Sequence, residues 1–392
     1  MKDLGSCASL RVAVSYNFFP HYRRPVFEAL HRHGRHKYVL YGDTVDVENV
    51  GIEPWVPTDI PFVKAPCHWI RWPVLVQWKN LSLALSRRFD AIIFMGSMYW
   101  PTTWVGAVLA RLTGKRVLFW THGWIRPESG FKGFLRRSFY HLAHGLLVYG
   151  HVAKIIGINS GFDHRKIHVI YNSLDYDKHL EVRQSLTEAD VMQTRQELFG
   201  DCARPMLICT TRLTAVRRLD LLLDAMALLK KQDHEADLLL VGDGPERPRL
   251  EEQAKRLGLR VHFYGACYDE TVLGRLIWAS NLCVAPGKVG LSAMHALTFG
   301  VPVITHDDAD NQMPEWEAIL PGVNGGLFKL GDTADIANQI NRWTQSPLPQ
   351  PAMRRRCCHI IDLLWNPRVQ QQIIERAING HPANDLFAPS LR

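Results

Sequence analysis

Short apolar runs alternate with longer segments of helical periodicity along almost the entire chain. The apolar runs are rich in β-branched and aromatic residues, as in buried strands. The predicted strands are residues 10–16, 38–42, 91–96, 116–122, 145–150, 167–172, 206–211, 236–242, 260–265, 282–286 and 301–306. Helices are predicted over 24–32, 102–112, 134–143, 219–231, 246–257, 270–279 and 292–299. This alternation predicts an α/β fold with parallel sheets covered by helices on both faces.

A polar stretch interrupts this pattern near the middle of the chain. A length of 392 residues favours two domains, each with its own core. We expect a first domain over 1–175, a linker over 176–204 with a helical pattern at 187–198, and a second domain over 205–365. Residues 366–392 are predicted to form a C-terminal helix and tail that could cross back to the first domain. Because ligands bind at the carboxyl ends of parallel strands, a cleft between two such sheets is the predicted site.

Charge divides unevenly between the two halves. Residues 1–170 hold 22 Lys and Arg against 10 Asp and Glu, whereas the remainder holds 24 against 28. A basic first half predicts an anionic partner, with a solvated surface as the alternative. Nucleic acid is not an expected partner, because no recognition helix, zinc-finger or RNA-binding pattern occurs.

Other bulk features favour a cytoplasmic protein. No window offers about 20 uninterrupted apolar residues, and the first residues lack the apolar core of an export signal. The eight cysteines are scattered without a CxxC pair, which favours buried thiols over disulfides or a zinc site.

The most specific string lies after the first predicted strand of the second domain. Residues 210–220 read TTRLTAVRRLD and connect this strand to a helix. The start of a helix offers free backbone N–H groups and a positive dipole end. Together with Arg212 and Arg217, these groups would clamp a diphosphate without a metal, although arginines also occur on solvated helix starts.

Three more strings follow in order. Residues 240–245 read LVGDGP, with Gly242 and Gly244 where backbone must approach closely. Residues 285–297 read APGKVGLSAMHAL, and residues 299–304 read FGVPVI. A single glycine turn is weak evidence, but the order and spacing of the set are specific.

These strings resemble the second lobe of the family-4 glycosyltransferases. That family shows a GRLxxxKG clamp, a VGDGP turn and an EGFGLxxxEAxAxGxPVI donor segment. Residues 169–175, VIYNSLD, resemble its interdomain segment, and residues 120–123, WTHG, resemble the strand end that carries its active-site histidine. The resemblance implies the GT-B fold, with two Rossmann-like domains whose parallel sheets face each other across a cleft. It also implies a hexosyltransferase that uses a nucleotide diphosphate sugar, retains anomeric configuration, and needs no metal or cofactor.

Roles follow from the resemblance, position by position. The implied catalytic residues are His122, Arg212, Arg217 and Glu315. The implied nucleotide-sugar contacts are Arg212, Arg217, Gly242, Gly244, Gly265, Tyr268, Gly287, Lys288, Gly290, Leu291 and His295. The sequence departs from the family at Gly287 and His295, where two glutamates usually contact the sugar and the ribose. A neutral histidine accepts one hydrogen bond and a glycine side chain none, so Glu315 is a candidate for the missing sugar contact, or only a helix-start carboxylate.

The first domain holds the candidate acceptor residues. Phe18, His21, Arg23 and Arg24 follow the first strand, where this family contacts its acceptor, and the cations could meet a pyrophosphate. Residues 68–79 and 131–140 mix tryptophan or phenylalanine with cations. Such mixtures suit an anionic membrane surface, although buried aromatic packing is the alternative.

The sequence therefore predicts a glycosyltransferase that acts on a carbohydrate or lipid-linked glycan. A bacterial surface-polysaccharide pathway, with peripheral contact at the inner membrane face, fits the basic first domain by analogy. The alternatives are a catalytically silent GT-B scaffold and a nucleotide-sugar epimerase. Two Asp-x-Asp triplets, at 175–177 and 308–310, leave a metal-dependent transferase as a further alternative.

Overall fold

The computed structural model describes residues 8–48, 51–348 and 350–384. The chain divides into two compact units, one of Met1–Ser173 with Pro367–Arg392 and the other of Leu174–Asn366. Cys7 and the predicted tail beyond residue 384 lie outside the described residues. Each of the seven cysteines within the described ranges is free.

The first unit is built on a parallel sheet. Its strands are β1 (Arg11–Phe18), β2 (Lys37–Asp43), β3 (Phe62–Lys64), β6 (Ala91–Met95), β7 (Arg116–Trp120), β8 (Gly145–Val148) and β9 (Ile167–Val169), and β4 (His68–Arg71) and β5 (Val74–Val76) form a separate antiparallel hairpin. The sheet order is β3-β2-β1-β6-β7-β8-β9, and each neighbouring pair is parallel. The central strands are buried except at one end residue each, because helices cover both faces.

The first unit has the three predicted helices and two that were not predicted. They are α1 (Arg24–His33), α2 (Lys79–Leu85), α3 (Pro101–Leu112), α4 (Gly130–Tyr140) and α5 (His151–Asn159), and the two that were not predicted are α2 and α5. Helix α1 has Pro25 in its first turn, where the missing N–H costs nothing, and it buries Val26, Phe27 and Leu30. Its apolar face thereby completes the core beside β1 and β2.

The second unit repeats the plan with a six-stranded sheet. Its helices and strands are α6 (Tyr176–Ser185), α7 (Glu188–Phe199), β10 (Met206–Thr210), α8 (Leu219–Lys230), β11 (Asp237–Val241), α9 (Arg247–Leu257), β12 (Val261–Gly265), α10 (Glu270–Trp278), β13 (Leu282–Ala285), α11 (Leu291–Thr298), β14 (Val303–His306), β15 (Gly325–Phe328), α12 (Thr333–Thr344) and α13 (Gln350–Leu363). The sheet order is β12-β11-β10-β13-β14-β15, again parallel throughout. The expectation of two parallel-sheet units is confirmed.

The predicted linker over 176–204 is wrong. Helices α6 and α7 occupy it and belong to the second unit. Thr187 and Asp190 form a reciprocal capping box at the start of α7, and Arg195 donates to the Ala279 carbonyl at 2.9 Å. Because α6 and α7 bury few apolar residues, their sequences are mostly polar, and a polar stretch is also typical of a linker.

The chain ends on the first unit. Helix α14 (Pro367–Ile378) packs against α1, and Glu375 accepts a hydrogen bond from the backbone N–H of Arg35. Gln370 donates to the Tyr171 carbonyl at 3.0 Å and accepts from the Ser173 hydroxyl at 2.8 Å. Residues 367–384 are thus an integral part of this unit.

Candidate functional site

The turn between β10 and α8 carries the predicted clamp arginines. β10 ends at Thr210, and residues 215–217 form a 3-10 helix that precedes α8. Arg212 is exposed and Arg217 is half-buried. The two guanidinium groups therefore lie on one short turn at the carboxyl edge of the sheet.

Two glycines allow the next strand turn to lie against the clamp turn. A Cβ atom at Gly242 would lie 1.9 Å from the Thr211 carbonyl oxygen, and one at Gly244 would lie 2.3 Å from that of Leu213. Gly242 also has a φ of +140°, which other residues rarely adopt. These positions require glycine for backbone packing, whatever else the turn contacts.

Arg217 is anchored to the loop that precedes α11. Its Nη1 donates to the Lys288 carbonyl oxygen, while its Nε is buried and has no hydrogen-bond partner. A small pocket is lined by Thr210, Thr211, Arg217, Gly287, Lys288 and Ser292. The predicted clamp and the predicted donor loop are thus in direct contact within the second unit.

The same contact explains the absence of a glutamate at position 287. A Cβ atom at Gly287 would lie 2.4 Å from the Val216 carbonyl oxygen and 2.8 Å from the Arg217 Cα. Any side chain at this position would push the clamp turn away. Gly290, by contrast, would place a Cβ 3.9 Å from its nearest neighbour, and α11 begins directly after it at Leu291. The first N–H groups of α11 have no partner within the helix and can receive an anion.

Gln312 braces this loop and was missed in the sequence. Its side chain accepts the Val289 N–H at 2.9 Å and donates to the Thr305 hydroxyl at 2.8 Å and to the His306 carbonyl at 3.0 Å. A buried amide with three partners fixes the loop relative to the end of β14. A lone glutamine between strand and helix gives no sequence signal of this role.

His295 has a carboxylate neighbour that the sequence did not reveal. Glu270 in the first turn of α10 places Oε2 3.3 Å from the His295 Nε2 and 2.8 Å from the Nε2 of His179 on α6. The Glu270 carboxyl is desolvated, but hydrogen bonds and charge from these two histidines hold its pKa well below the usual range. An anionic carboxylate therefore lies beside the position where the family has its second glutamate.

This trio is also a geometric candidate for a metal site. Each residue of the trio offers one possible ligand atom, and these three atoms all lie within 4.8 Å of one another. No other such group of His, Cys, Asp or Glu residues occurs in the described ranges. The two Asp-x-Asp triplets have capping roles instead: Asp175 accepts from the Lys178 N–H and Asp308 from that of Asp310. In the trio, the His179 Nε2 already hydrogen-bonds Glu270, and its Nδ1 is buried without a partner. Metal-bound histidines usually donate through the second nitrogen, so the arrangement favours a hydrogen-bonded cluster.

The remaining predicted donor residues occupy different environments. Glu315 lies in the 3-10 helix Pro314–Ala318 and is 4% exposed. Gly265 ends β12 with a φ of +89° and accepts the Gly242 N–H at 2.7 Å. Tyr268 is 89% exposed.

Arg23 is the centre of a buried aromatic cluster in the first unit. It is 8% exposed, and its Nη1 donates to the Tyr16 hydroxyl at 3.1 Å. Its guanidinium carbon lies 4.8 Å from the Tyr149 ring centre and 5.8 Å from that of Trp120. Burial raises the pKa of both tyrosines, although the Arg23 charge opposes this, so both phenols are neutral near pH 7.

This cation has no negative counter-charge among the described residues. The titratable groups around it are three tyrosines and His122, and its Nε is buried without a hydrogen-bond partner. A buried charge without an opposite charge is costly. Arg23 is therefore prepared to receive an anion.

His122 lies beside this cluster, two residues after β7. Its ring centre is 4.9 Å from that of Tyr149. Part of the residue is exposed to solvent, yet desolvation of the imidazole by the surrounding protein lowers the pKa of His122 to about 4. The positive charge of Arg23 acts in the same direction. The imidazole is consequently neutral near pH 7.

The other predicted acceptor residues do not join the cluster. Phe18 is 2% exposed and belongs to the core, so a contact with an acceptor is not available to its side chain. Arg24 pairs with Glu28 at 2.6 Å on the surface of α1. The exposed His21 donates its backbone N–H to the Glu53 carbonyl.

The two segments that mix aromatic and basic residues expose several of their aromatic side chains, whereas Phe139 and Tyr140 at the end of α4 are buried. Trp72 is 76% exposed beside the β4–β5 hairpin, and Phe131 is 78% and Phe134 57% exposed on α4. The alternative of buried packing is therefore wrong for Trp72, Phe131 and Phe134 and right for Phe139 and Tyr140. Arg136 differs from its neighbours because it pairs with Glu128 and is largely buried. No helix in the described ranges is long and apolar enough to cross a membrane.

Comparison with known proteins places these features in a family context. Residues 204–346 match the family model described as "Glycosyl transferases group 1". The chain is similar to the GDP-mannose-dependent alpha-(1-6)-phosphatidylinositol dimannoside mannosyltransferase of Mycobacterium tuberculosis, with 32% identity over 25% of the chain and 26% of that protein. It is also similar to the alpha-D-kanosaminyltransferase of Streptomyces kanamyceticus, with 26% identity over 41% of the chain and 42% of that protein. The matched region thus spans less than half the length of these relatives.

The fold likeness extends over nearly the whole chain. The structure of HepE from Anabaena in complex with UDP has a TM-score of 0.70 and 20% identity, and covers 94% of this chain and 99% of its own. At this identity the likeness establishes the fold alone.

Proposed function

We propose that this chain, which has the GT-B fold and carries a group 1 glycosyltransferase domain at residues 204–346, transfers a sugar from a nucleotide diphosphate sugar to a carbohydrate or lipid-linked acceptor. The observation that supports this most strongly is the anchoring of Arg217 against the Gly287–Lys288 loop. That contact brings a cation, glycine turns and the start of α11 to one strand edge of the second unit.

The clamp would act on the departing diphosphate. Arg212, Arg217 and the N–H groups of Gly290 and Leu291 would stabilise the charge that develops as the sugar leaves. The backbone positions of these donors are fixed before the substrate binds, so little reorganisation accompanies the reaction. We expect the leaving phosphate itself to take the acceptor proton. In this proposal Glu315 contacts the sugar, and residues from Gly265 to Tyr268 border the base.

Glu270 would supply the carboxylate that position 295 lacks. Its Oε2 lies 3.3 Å from the His295 Nε2, and it is anionic because its pKa lies well below the usual range. Such a carboxylate can accept the two ribose hydroxyl hydrogens, whereas a histidine offers at most one acceptor nitrogen. The two substitutions at 287 and 295 are therefore compatible with donor binding, and the presence of both clamp arginines argues against a catalytically silent scaffold.

The first unit would bind the acceptor near His122. The uncompensated Arg23 favours an acceptor that carries a negative group, such as a pyrophosphate or a phosphorylated lipid. The relative from Mycobacterium tuberculosis, by its name, acts on a phosphatidylinositol dimannoside, which is a lipid of this chemical kind. Retention of configuration, metal independence and a place in bacterial surface-polysaccharide synthesis complete the proposal and rest on the family resemblance.

Peripheral membrane contact belongs to the same proposal. Trp72, Phe131 and Phe134 are exposed beside Arg71, Lys132 and Arg137, a combination suited to anionic headgroups. Replacing Trp72 and Phe131 with serine should weaken sedimentation with phosphatidylglycerol vesicles. Arg136 is a poor choice for this test, because its substitution would break the ion pair with Glu128.

A panel of nucleotide sugars tests the enzymatic proposal. The donor should raise the melting temperature by mass action, and its nucleoside diphosphate should do the same. The stabilising donor should then release its nucleotide in the presence of glycan or lipid-linked acceptors. Absence of stabilisation by every uridine, guanosine, adenosine and thymidine diphosphate sugar would refute nucleotide-sugar binding.

A further inference from the structure

A second cationic site lies at the opposite edge of the first sheet from His122. Arg116 begins β7 and His122 follows its end, so a rise of about 3.3 Å for each of the six residue steps separates the two positions by about 20 Å. A cavity of about 530 Å³ opens beside Arg116. This volume falls within the range of about 300–1,000 Å³ that is typical of small-molecule sites.

The cavity lining is unusually basic. Its charged members are Arg111, Arg116, Arg165 and Lys166 against the single carboxylate of Asp163, and four histidines (His141, His144, His168 and His381) complete the polar wall. The Asp163 carboxylate is paired with Arg165, whose guanidinium donates two hydrogen bonds of 3.2 Å to its two oxygens. Three cations are left without a counter-charge from the lining.

Arg116 is held in place from several sides. Its Nε donates to the Ala377 carbonyl at 2.8 Å, at the end of α14. A Cβ at Gly380 would lie 3.1 Å from its Nη1, and Gly380 has a φ of +84°, so glycine leaves room for the guanidinium. Burial lowers the pKa of Arg116, as expected for a partly desolvated cation. Backbone contacts thus position this charge, and no salt bridge to it occurs within the described chain.

His144 adds a hydrogen-bond donor to the wall. Its Nδ1 accepts the Val117 N–H at 2.9 Å, so the ring hydrogen lies on Nε2. Burial lowers the pKa of His144, and the charges of Arg111, Arg116 and Lys166 act in the same direction. The neutral imidazole accordingly complements the three cations with a further donor.

We propose that this cavity, bounded by Arg111, Arg116, His144, Lys166 and the chain segment 380–382, binds a phosphorylated ligand. Guanidinium and imidazole donors match phosphate oxygens, and the volume admits a group larger than inorganic phosphate. The ligand is a free organic phosphate or a phospholipid headgroup, which present the same chemistry. The site is separate from the proposed donor and acceptor positions and would be a regulatory or anchoring site.

Pyrophosphate binding to the full chain, measured by calorimetry, tests the site. Arg111 and Lys166 are exposed, so the double variant Arg111→Gln/Lys166→Gln should fold normally. Arg87→Gln/Arg88→Gln removes the same charge from an exposed loop of the same unit outside the lining. We expect pyrophosphate affinity to fall at least about 10-fold in the first variant and less than about 2-fold in the second.

The proposed donor clamp would bind the same probe, so the comparison is repeated in an Arg217→Ala background. The loss caused by Arg111→Gln/Lys166→Gln should persist there, whatever the outcome for the transferase proposal. Sedimentation with phosphatidylglycerol vesicles distinguishes a phospholipid headgroup from a free organic phosphate. If Arg111→Gln/Lys166→Gln loses vesicle binding, the ligand is a headgroup. If its vesicle binding is unchanged, the ligand is a free phosphate. Equal pyrophosphate affinity in both double variants, in either background, would overturn the proposal.

Discussion

The two units hold their central arginines in opposite ways. Arg217 in the second unit is half-buried, rests on a backbone carbonyl and lies among glycine turns and the start of a helix. Arg23 in the first unit is buried among neutral phenols and an indole, with no carboxylate among its titratable neighbours. A backbone-built site offers several N–H groups in fixed positions and suits a diphosphate common to many donors. The aromatic cluster around Arg23 offers one desolvated positive charge, which suits an anionic acceptor particular to this protein.

Removing the clamp cation should give the largest effect. Arg217→Ala should lower turnover by about 10²-fold or more, if the guanidinium contributes about 3 kcal/mol to the leaving group. Arg218→Ala is the matched control, because Arg218 is exposed and pairs with Asp220 at 3.2 Å. Steady-state kinetics with the identified donor measure both. Turnover of Arg217→Ala within a few-fold of the control would refute the clamp.

Arg23→Met should separate function from stability. The KM for an anionic acceptor should rise by about 10-fold or more, because one charge-assisted contact is lost. The melting temperature should stay the same or rise, since the change removes a buried charge that lacks an opposite partner. Calorimetric unfolding and acceptor kinetics give the two readings. A marked drop in melting temperature with an unchanged KM would assign Arg23 a structural role.

The neutral state of His122 predicts a pH effect on stability. Its folded pKa of about 4 lies below the ordinary 6.5, so the unfolded chain binds a proton that the folded chain does not. Stability from this residue is complete above about pH 6.5 and is lost as the pH falls towards 4. Urea midpoints across this window should decline less steeply for His122→Gln than for the wild type. A steeper decline in the variant would mean that the folded protein protonates His122.

Chelation should have the smallest effect. Transfer should persist in excess EDTA, because the proposed clamp uses arginines in place of a divalent cation at the diphosphate. His179→Gln should likewise leave the response to EDTA unchanged. Activity that EDTA abolishes, that Zn²⁺ or Mn²⁺ restores and that His179→Gln removes would assign a metal to the His179–Glu270–His295 trio.

The strands, helices and glycine turns that depend on local sequence could be predicted. The contacts between side chains far apart in the sequence could not. Strand and helix positions, and the glycines at 242 and 244, follow from local periodicity and close approach. Strands β3 and β4 were missed because few of their side chains are buried, β15 because it begins with two glycines, and the three-residue β5 because it directly follows Pro73. Glu270 and Gln312 lie 25 and 23 residues from the positions they contact, His295 and Val289, so only the folded chain brings them together. The aromatic cluster around Arg23 is hidden for the same reason, because Tyr16, Trp120 and Tyr149 come from three different strands or strand ends.

Nucleotide binding by the wild type and two variants tests most directly whether the second unit alone binds the donor. The dissociation constant of the donor's nucleoside diphosphate should be measured by calorimetry for the wild type, Arg217→Ala and Arg23→Met. We expect a loss of at least about 10-fold for Arg217→Ala and a change of less than about 2-fold for Arg23→Met. Failure of the wild type to bind any nucleoside diphosphate, or equal losses in the two variants, would contradict a donor site built on the backbone of the second unit.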